Sequence, residues 1–402
     1  MNRRGFLLAG GAALLPSALA HAKNMTENSS TGAQTLTLFL GGDVMSGRGI
    51  DQILPHPADP RIHEAYLKSA RDYVSLSEQR FGPLPLPVDY AYPWGDALAE
   101  LDRHQPDFRI VNLETAITAR GEPWPGKGIQ YRMHPDNLPC LSAAKLDCCV
   151  LANNHVLDWG YEGFADSLAA LDKAGMHTAG AGRDTAAASR PALLQRNGRR
   201  VWVFAWGMDG SGVPEAWAAG ANRAGVNFLQ DLSSASVAKI AEAVRAVKRP
   251  GDVVVASLHW GSNWGYGVSK DRRRFAHALI DKAGVDVVHG HSSHHPRPIE
   301  VYRGKLILYG CGDLINDYEG ISGYEMFRGE LGLLYFVTLD RSGRLQVLAM
   351  RPLTRRRLRL NVSSQADAAW LANKLDEESE RFGSRVELAP DLTLQLRWPD
   401  WS

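Results

Sequence analysis

The feature that most constrains this chain is a set of five short apolar runs that each end in polar side chains. "TLTLFLGGD" runs into Asp43, "PDFRIVNLE" into Asn112 and Glu114, and "KLDCCVLANNH" into Asn153, Asn154 and His155. "GDVVVASLHWG" runs into His259, and "GVDVVHGHSSHH" into His289, His291, His294 and His295. Continuous apolar runs bounded by turn residues predict strands buried on both faces. Helical patterns alternate with them: "YEGFADSLAALDKAG", "LSSASVAKIAEAVRAVKRPG" and "KDRRRFAHALIDKAG" each carry an apolar face and a Gly or Pro-Gly stop. This alternation predicts an α/β architecture with a largely parallel sheet.

Hairpins follow. Asn197-Gly198, Arg303-Gly304 and Ser342-Gly343 each separate two apolar runs, which is turn chemistry for antiparallel pairs. The expected picture is two sheets packed face to face with helices outside, closed by a helix in "QADAAWLANKLDEESERFG". Residues 51–93 are proline-rich and read as an irregular insertion, either plain surface or a wall beside the strand ends. The main domain is expected over 36–355, with a C-terminal strand and helix over 356–402 packing on it.

The first residues, "MNRRGFLLAGGAALLPSALAHA", combine paired arginines, a short apolar core and a small-x-small cleavage site. They read as a twin-arginine-type signal over 1–22, addressing the protein to the periplasm or cell envelope, with a polar lead-in over 23–35. The apolar run is shorter than the roughly 20 residues that span a bilayer and is interrupted by Pro16, which makes a transmembrane anchor the weaker reading; an ordinary secretory signal is the alternative to the twin-arginine type.

Lys plus Arg number 45 against 44 Asp plus Glu, with no basic stripe apart from "RPLTRRRLRL", so nucleic acid is excluded as a partner class. That stretch reads as a strand with one solvated basic side. Four cysteines, Cys140, Cys148, Cys149 and Cys311, show no metal spacing. They read as small buried hydrophobes, with a disulfide from Cys140 to Cys148 or Cys149 as the alternative.

In an open α/β sheet, parallel strands present their carboxyl ends at one edge, where ligands bind. Asp43, Glu114, Asn154, His259, His291 and His294 would converge there. Carboxylate, amide oxygen and imidazole without thiolate suit a hard or borderline divalent cation. An isolated acid after a strand often only caps a turn, but six polar strand ends are poorly explained as caps.

The motifs "GGDVMSGR", "VNLE", "LANNHVLDWG", "LHWG" and "HGHSSHH" followed by "EVYRGKLILYGCGD" occur in an order that resembles the CapA family of poly-gamma-glutamate capsule biosynthesis proteins. That family is similar to calcineurin-like metallophosphoesterases. The resemblance spans roughly residues 36–317. It implies a four-layer α-β-β-α sandwich and one or two divalent metal ions, with Mn, Fe or Zn as the candidates. It also implies Asp43, Glu114, Asn154, His259, His291 and His294 as ligands and His155 as catalytic histidine. Asp158 is then expected to orient His155. Arg48 is expected to hold an anionic group by a forked contact. Trp260, with Trp264 and Tyr266, either stacks on substrate or belongs to the core.

Some positions depart from the phosphoesterase pattern. Met45 stands where a histidine ligand is usual and Glu114 where an aspartate bridges, both as in CapA proteins, whereas Ser262-Asn263-Trp264 stands where CapA proteins often have an acid. "GDLINDYEG", with Asp313, Asp317 and Glu319, reads either as a solvated loop or as part of the site. The resemblance implies an exported metal-dependent hydrolase or transferase acting on an anionic small molecule or a poly-gamma-glutamate chain, with capsule-assembly membrane proteins as partners. The competing reading is a catalytically silent component that only binds polyanion.

Overall fold

The computed structural model describes residues 35–399. The expected signal segment, and all of the lead-in but Thr35, lie outside the described residues. Among them two main sheets dominate a mixed α/β architecture. In the first, β1 (Leu36–Val44), β2 (Phe108–Leu113) and β3 (Cys148–Val150) lie side by side and parallel, extended by His177–Ala179. In the second, β4 (Val253–His259) and β5 (Val287–His291) form the parallel centre. Arg199–Gly207 and Lys305–Leu308 flank that pair in parallel, and Ala192–Arg196 and Ile299–Tyr302 close its edges in antiparallel pairing. A short strand, β6 (Asp313–Ile315), returns beside the end of β1.

Strand alternation sorts side chains into separate cores. Leu38, Leu40, Ile110 and Val150 of the first sheet meet Val201, Val255, Val287 and Leu306 of the second in one cluster. The opposite face of the first sheet turns Phe39, Val111 and Cys149 toward Phe164 and Leu171 of the helix α2 (Gly160–Lys173). The opposite face of the second turns Val254, Ala256 and Val288 toward α3 (Ser234–Val247) and α4 (Lys270–Ala283). Full burial of each such aliphatic side chain is worth about 1.5–3 kcal/mol. The termini of these helices follow local chemistry: Ser233 and Ser269 accept N-cap hydrogen bonds, and Gly284 ends α4 at φ 71°.

The three hairpins form where expected, and Asn197-Gly198 and Arg303-Gly304 adopt positive φ throughout. Four expectations need correction or extension. Residues 51–93 are not wholly irregular, because they include α1 (Ala70–Phe81), entered through a capping box between Ser69 and Asp72. The C-terminal region adds, beyond a strand and the helix α5 (Gln365–Glu380), a terminal hairpin, Arg385–Leu388 with Leu394–Arg397. "RRRLRL" is no solvated strand. Arg355 is buried and donates to the carbonyls of Asp313, Gly329 and Leu331, and the chain reverses at Arg357 and Leu358, both at positive φ. All four cysteines are free thiols in buried positions, so the disulfide alternative falls.

Candidate metal centre

The register of the sheets brings the polar strand ends together. Asp43 pairs in parallel with Asn112 of β2 on one side and Asp313 of β6 on the other, and His259 pairs with His291 across β4 and β5. The approach of β6 depends on Gly42, where an added Cβ would lie 1.7 Å from the carbonyl oxygen of Gly312. Potential ligand atoms of Asp43, His259 and His291 all fall within 4.8 Å of one another, and the three residues are buried.

A hydrogen-bond chain fixes how the imidazoles present themselves. The carbonyl of Gly41 can only accept, so His289 Nε2, 2.9 Å away, carries the proton. His289 Nδ1 then accepts from the Ser257 hydroxyl at 3.1 Å, and Ser257 in turn accepts from His291 Nε2 at 2.9 Å. His291 is left with a bare Nδ1. The side-chain oxygen of Asn154 lies 3.0 Å from His259 Nε2 and sets the same tautomer there. Burial pulls the basicity of both His259 and His291 well below the ordinary histidine range and so favours neutral rings.

Two lone pairs, on His259 Nδ1 and His291 Nδ1, therefore face each other at 2.8 Å, with an Asp43 carboxylate oxygen 4.0 Å from His291 Nδ1. Such an arrangement asks for a cation. The donor set, two neutral imidazoles and a carboxylate, fits a borderline divalent ion.

The crowded acids hold their protons more tightly than free carboxylic acids. Burial, then the charge of Asp313, raises Asp43 to about 7, and burial with the charges of Asp43 and Asp313 lifts Glu114 well above its ordinary range. Asn112 Nδ2 donates to Asp43 at 2.7 Å and to Glu114 at 2.9 Å, holding the two acids in one plane of approach. Asn112 is itself held by Asn153 at 3.0 Å, and Asn153 also accepts from the His155 amide at 3.1 Å, so it shapes the turn.

His155 faces the same space. Its Nε2 lies 3.7 Å from Glu114, and its Nδ1 lies 2.7 Å from Asp158 and 3.0 Å from Lys127. Lys127 also reaches Asp158 at 2.6 Å. Burial lowers His155 to about 4 despite the opposing charge of Asp158, with Lys127 adding to the depression. Lys127 sits in a Gly- and Pro-rich loop between two short strands, Ala116–Ile117 and Arg132–Met133, outside the five apolar runs, and nothing in the sequence marked it. Glu114, Lys127, Asn154, His155, His259, Asn263, Ser292, His294 and Tyr318 are among the lining of a cavity of about 210 Å³.

Residues 37–318 match the family described as bacterial capsule synthesis protein PGA_cap. The chain belongs to this family. A probable polyglutamine synthesis accessory protein of Mycobacterium tuberculosis is 53% identical over 364 residues, covering 90% of this chain and 96% of that one. The PGA biosynthesis protein CapA of Bacillus subtilis is 28% identical over 243 residues, 60% of each chain. A hypothetical protein from Thermus thermophilus aligns with a TM-score of 0.40 at 13% identity over 79% of this chain and 98% of that one, a likeness too distant to bear on the fold.

In this PGA_cap protein several expected residues stand elsewhere. Arg48 does not open toward the cavity. Its guanidinium is buried between Asp317 and Glu64, bonded to both and to Tyr73, and packed on the Tyr73 ring at 3.8 Å. Trp260 is buried against Phe275 and Tyr309, with its ring nitrogen donating to the Tyr309 carbonyl at 3.1 Å, so it is core rather than a stacking surface. The alternation of β4 explains this, since His259 faces one side and its neighbour must face the other.

His294 lines the cavity but stands outside the triad, with Nδ1 3.0 Å from Asp313 and Nε2 3.0 Å from the Asn263 side chain. Burial works against its protonation, but Asp313 and Asp43 outweigh it and hold His294 above its ordinary value. "GDLINDYEG" is no solvated loop: Asp313, Asp317 and Glu319 are buried, and each is bonded. Met45 is buried with its sulfur 3.5 Å from the Tyr318 hydroxyl.

Proposed function

We propose that this protein is an exported metal-dependent hydrolase or transferase that acts on an anionic substrate in the production of poly-gamma-glutamate or a related capsule polymer. The observation that carries the reading is that His259, which clusters with Asp43 and His291, lines the same cavity as His155, whose ring is paired with Asp158. The names of the relatives, polyglutamine synthesis accessory protein and PGA biosynthesis protein, support the substrate class. The metallophosphoesterase-like α-β-β-α layering belongs to the same reading and is supported by the three separate cores. Export rests on the twin-arginine-type start of the sequence. No helix among the described residues is long and apolar enough to cross a membrane.

Asp43, His259 and His291 would hold one divalent cation, and Glu114 stands beside them, 4.0 Å from His259 Nε2 and 3.7 Å from His155 Nε2. When bound, such an ion polarises a phosphoryl or acyl oxygen and makes a nearby water more acidic. The chain's own residues do the rest. With Nδ1 donating to Asp158, a neutral His155 presents its Nε2 lone pair to the cavity. A proton taken up there is stabilised by Asp158 and can be passed to a leaving group. Lys127 compensates the Asp158 charge and offers a fixed cation at the cavity wall, suited to an anionic substrate.

The silent-binder reading draws on Met45 and on the capture of His294 by Asn263, which limit the sites for a second ion. Metal analysis of purified protein, combined with hydrolysis of a generic phosphoester by the wild type and by His155→Ala, tests the two. Bound metal with activity lost in the variant supports the enzyme; neither metal nor activity in either form rejects it.

A further inference from the structure

A second, larger hollow of about 450 Å³ adjoins the metal cavity. Tyr318 belongs to the lining of both. The rest of the partition is built from residues that also touch the site. Asn316 lines the groove and donates to Asp313 at 2.7 Å, and Asp313 pairs with His294. Trp264 lines the groove with its ring 5.2 Å from the His294 ring.

The groove is amphipathic in a particular way. One wall is an aromatic ledge in which Trp264 and Tyr324 stack at 4.2 Å and 3°, continued by Ile321; Tyr324 is 48% and Ile321 42% exposed. The remainder carries four arginines, Arg80, Arg328, Arg355 and Arg356, against three glutamates. Arg328 is neutralised by Glu330 and Asp367. Glu319 is tied to the Ser77 hydroxyl and the Leu358 amide, and Glu325 accepts from the Gly323 amide.

The other three arginines have no carboxylate bonded to them among the described residues. Arg355 is buried, held by backbone carbonyls, and its Nε has no hydrogen-bond partner among those residues. Arg80 and Arg356 are exposed at the rim, and Arg80 lies over the ring of Phe81 at 5.3 Å. Arg355 is compensated by the nearby charges of Asp313, Glu330 and Glu319, which leaves Arg80 and Arg356 as the cations that the rim offers to a ligand.

We propose that this groove is a lane for a carboxylate-bearing chain, with the aromatic ledge covering its methylene spacers and the exposed Arg80 and Arg356 charges meeting its repeated carboxylates. The inference rests on the functional reading above and adds the place where the polymer lies. A volume within the usual range for ligand sites, roughly 300–1,000 Å³, admits a few repeats at a time.

The test is calorimetric titration of the full-length protein with a γ-linked glutamate decamer. The wild type is expected to bind, and to bind more weakly as salt is raised. Arg80→Gln/Arg356→Gln removes charge from two exposed positions and is expected to weaken binding about tenfold. Tyr324→Ala is expected to weaken it as well, while Asp43→Asn retains it. No binding by the wild type, binding insensitive to salt, or a loss of less than about threefold in the double variant overturns the lane. Loss in Asp43→Asn with full binding in the double variant would place the polymer in the metal cavity alone, rejecting the lane and leaving the proposed function intact.

Discussion

His259 Nδ1 and His291 Nδ1 lie 2.8 Å apart, each on a ring whose other nitrogen is already committed. Two bare imidazole nitrogens at that distance repel unless a proton or a cation lies between them. Burial disfavours the proton. A divalent ion that binds only the folded form should therefore raise the thermal midpoint. The gain is about 2.7 kcal/mol at a concentration 100-fold above its dissociation constant. Differential scanning calorimetry with and without chelator should show this for the wild type and not for His259→Ala/His291→Ala.

The tautomer of His291 is set three groups away, by the Gly41 carbonyl through His289 and Ser257. Ser257→Ala cuts that relay without replacing a proposed ligand. Outer partners of this kind typically contribute 10–100-fold in metal affinity. Competition with a chromogenic chelator should register a loss of about that size, with folding retained by circular dichroism.

His155 touches Asp158 and Lys127 but is not one of the triad. His155→Gln should lower turnover about 10²–10⁴-fold, the usual contribution of a positioned acid or base, and leave metal content unchanged. Asp158→Asn should fall in the same direction, because its carboxylate also accepts from the Tyr131 amide at 2.6 Å and fixes that loop. Steady-state kinetics beside metal analysis separates this from simple loss of the ion.

Arg48 is enclosed by Asp317, Glu64, Tyr73 and Tyr131. Removing one member of a buried, hydrogen-bonded charge group costs about 3–5 kcal/mol. Arg48→Ala should therefore lower the unfolding free energy by that amount in a denaturant titration, whereas an anion-binding role would raise KM with stability intact.

The five strands with polar ends, the three expected hairpins and the helices α2 to α5 were legible because their signals are local: apolar runs, glycine-bearing turns, a 3.6-residue period and a glycine stop; β6 and the terminal hairpin were not. The helix α1 was not legible: its capping box at Ser69 and Asp72 lies in a proline-rich stretch that reads as irregular. Proximity in sequence misled at Arg48 and Trp260. Arg48 follows Asp43 closely but is claimed by Asp317, 269 residues away, and Trp260 follows His259 but points to the other side of the sheet. Lys127, and the acceptance of His294 by Asp313, depend on pairings across loops, which no local pattern encodes. The relay from Gly41 to His291 is similar: each residue was visible, but the order of protons needed the distances.

Asp43, His259 and His291 are expected to bind a cation between them, which anomalous scattering from crystals soaked with manganese or zinc would locate. One peak within bonding distance of His259 Nδ1, His291 Nδ1 and an Asp43 carboxylate oxygen, absent in Asp43→Asn/His291→Ala, is the result this account predicts. Fully soaked crystals with no peak between those three residues, or with the peak retained in the double variant, would contradict it.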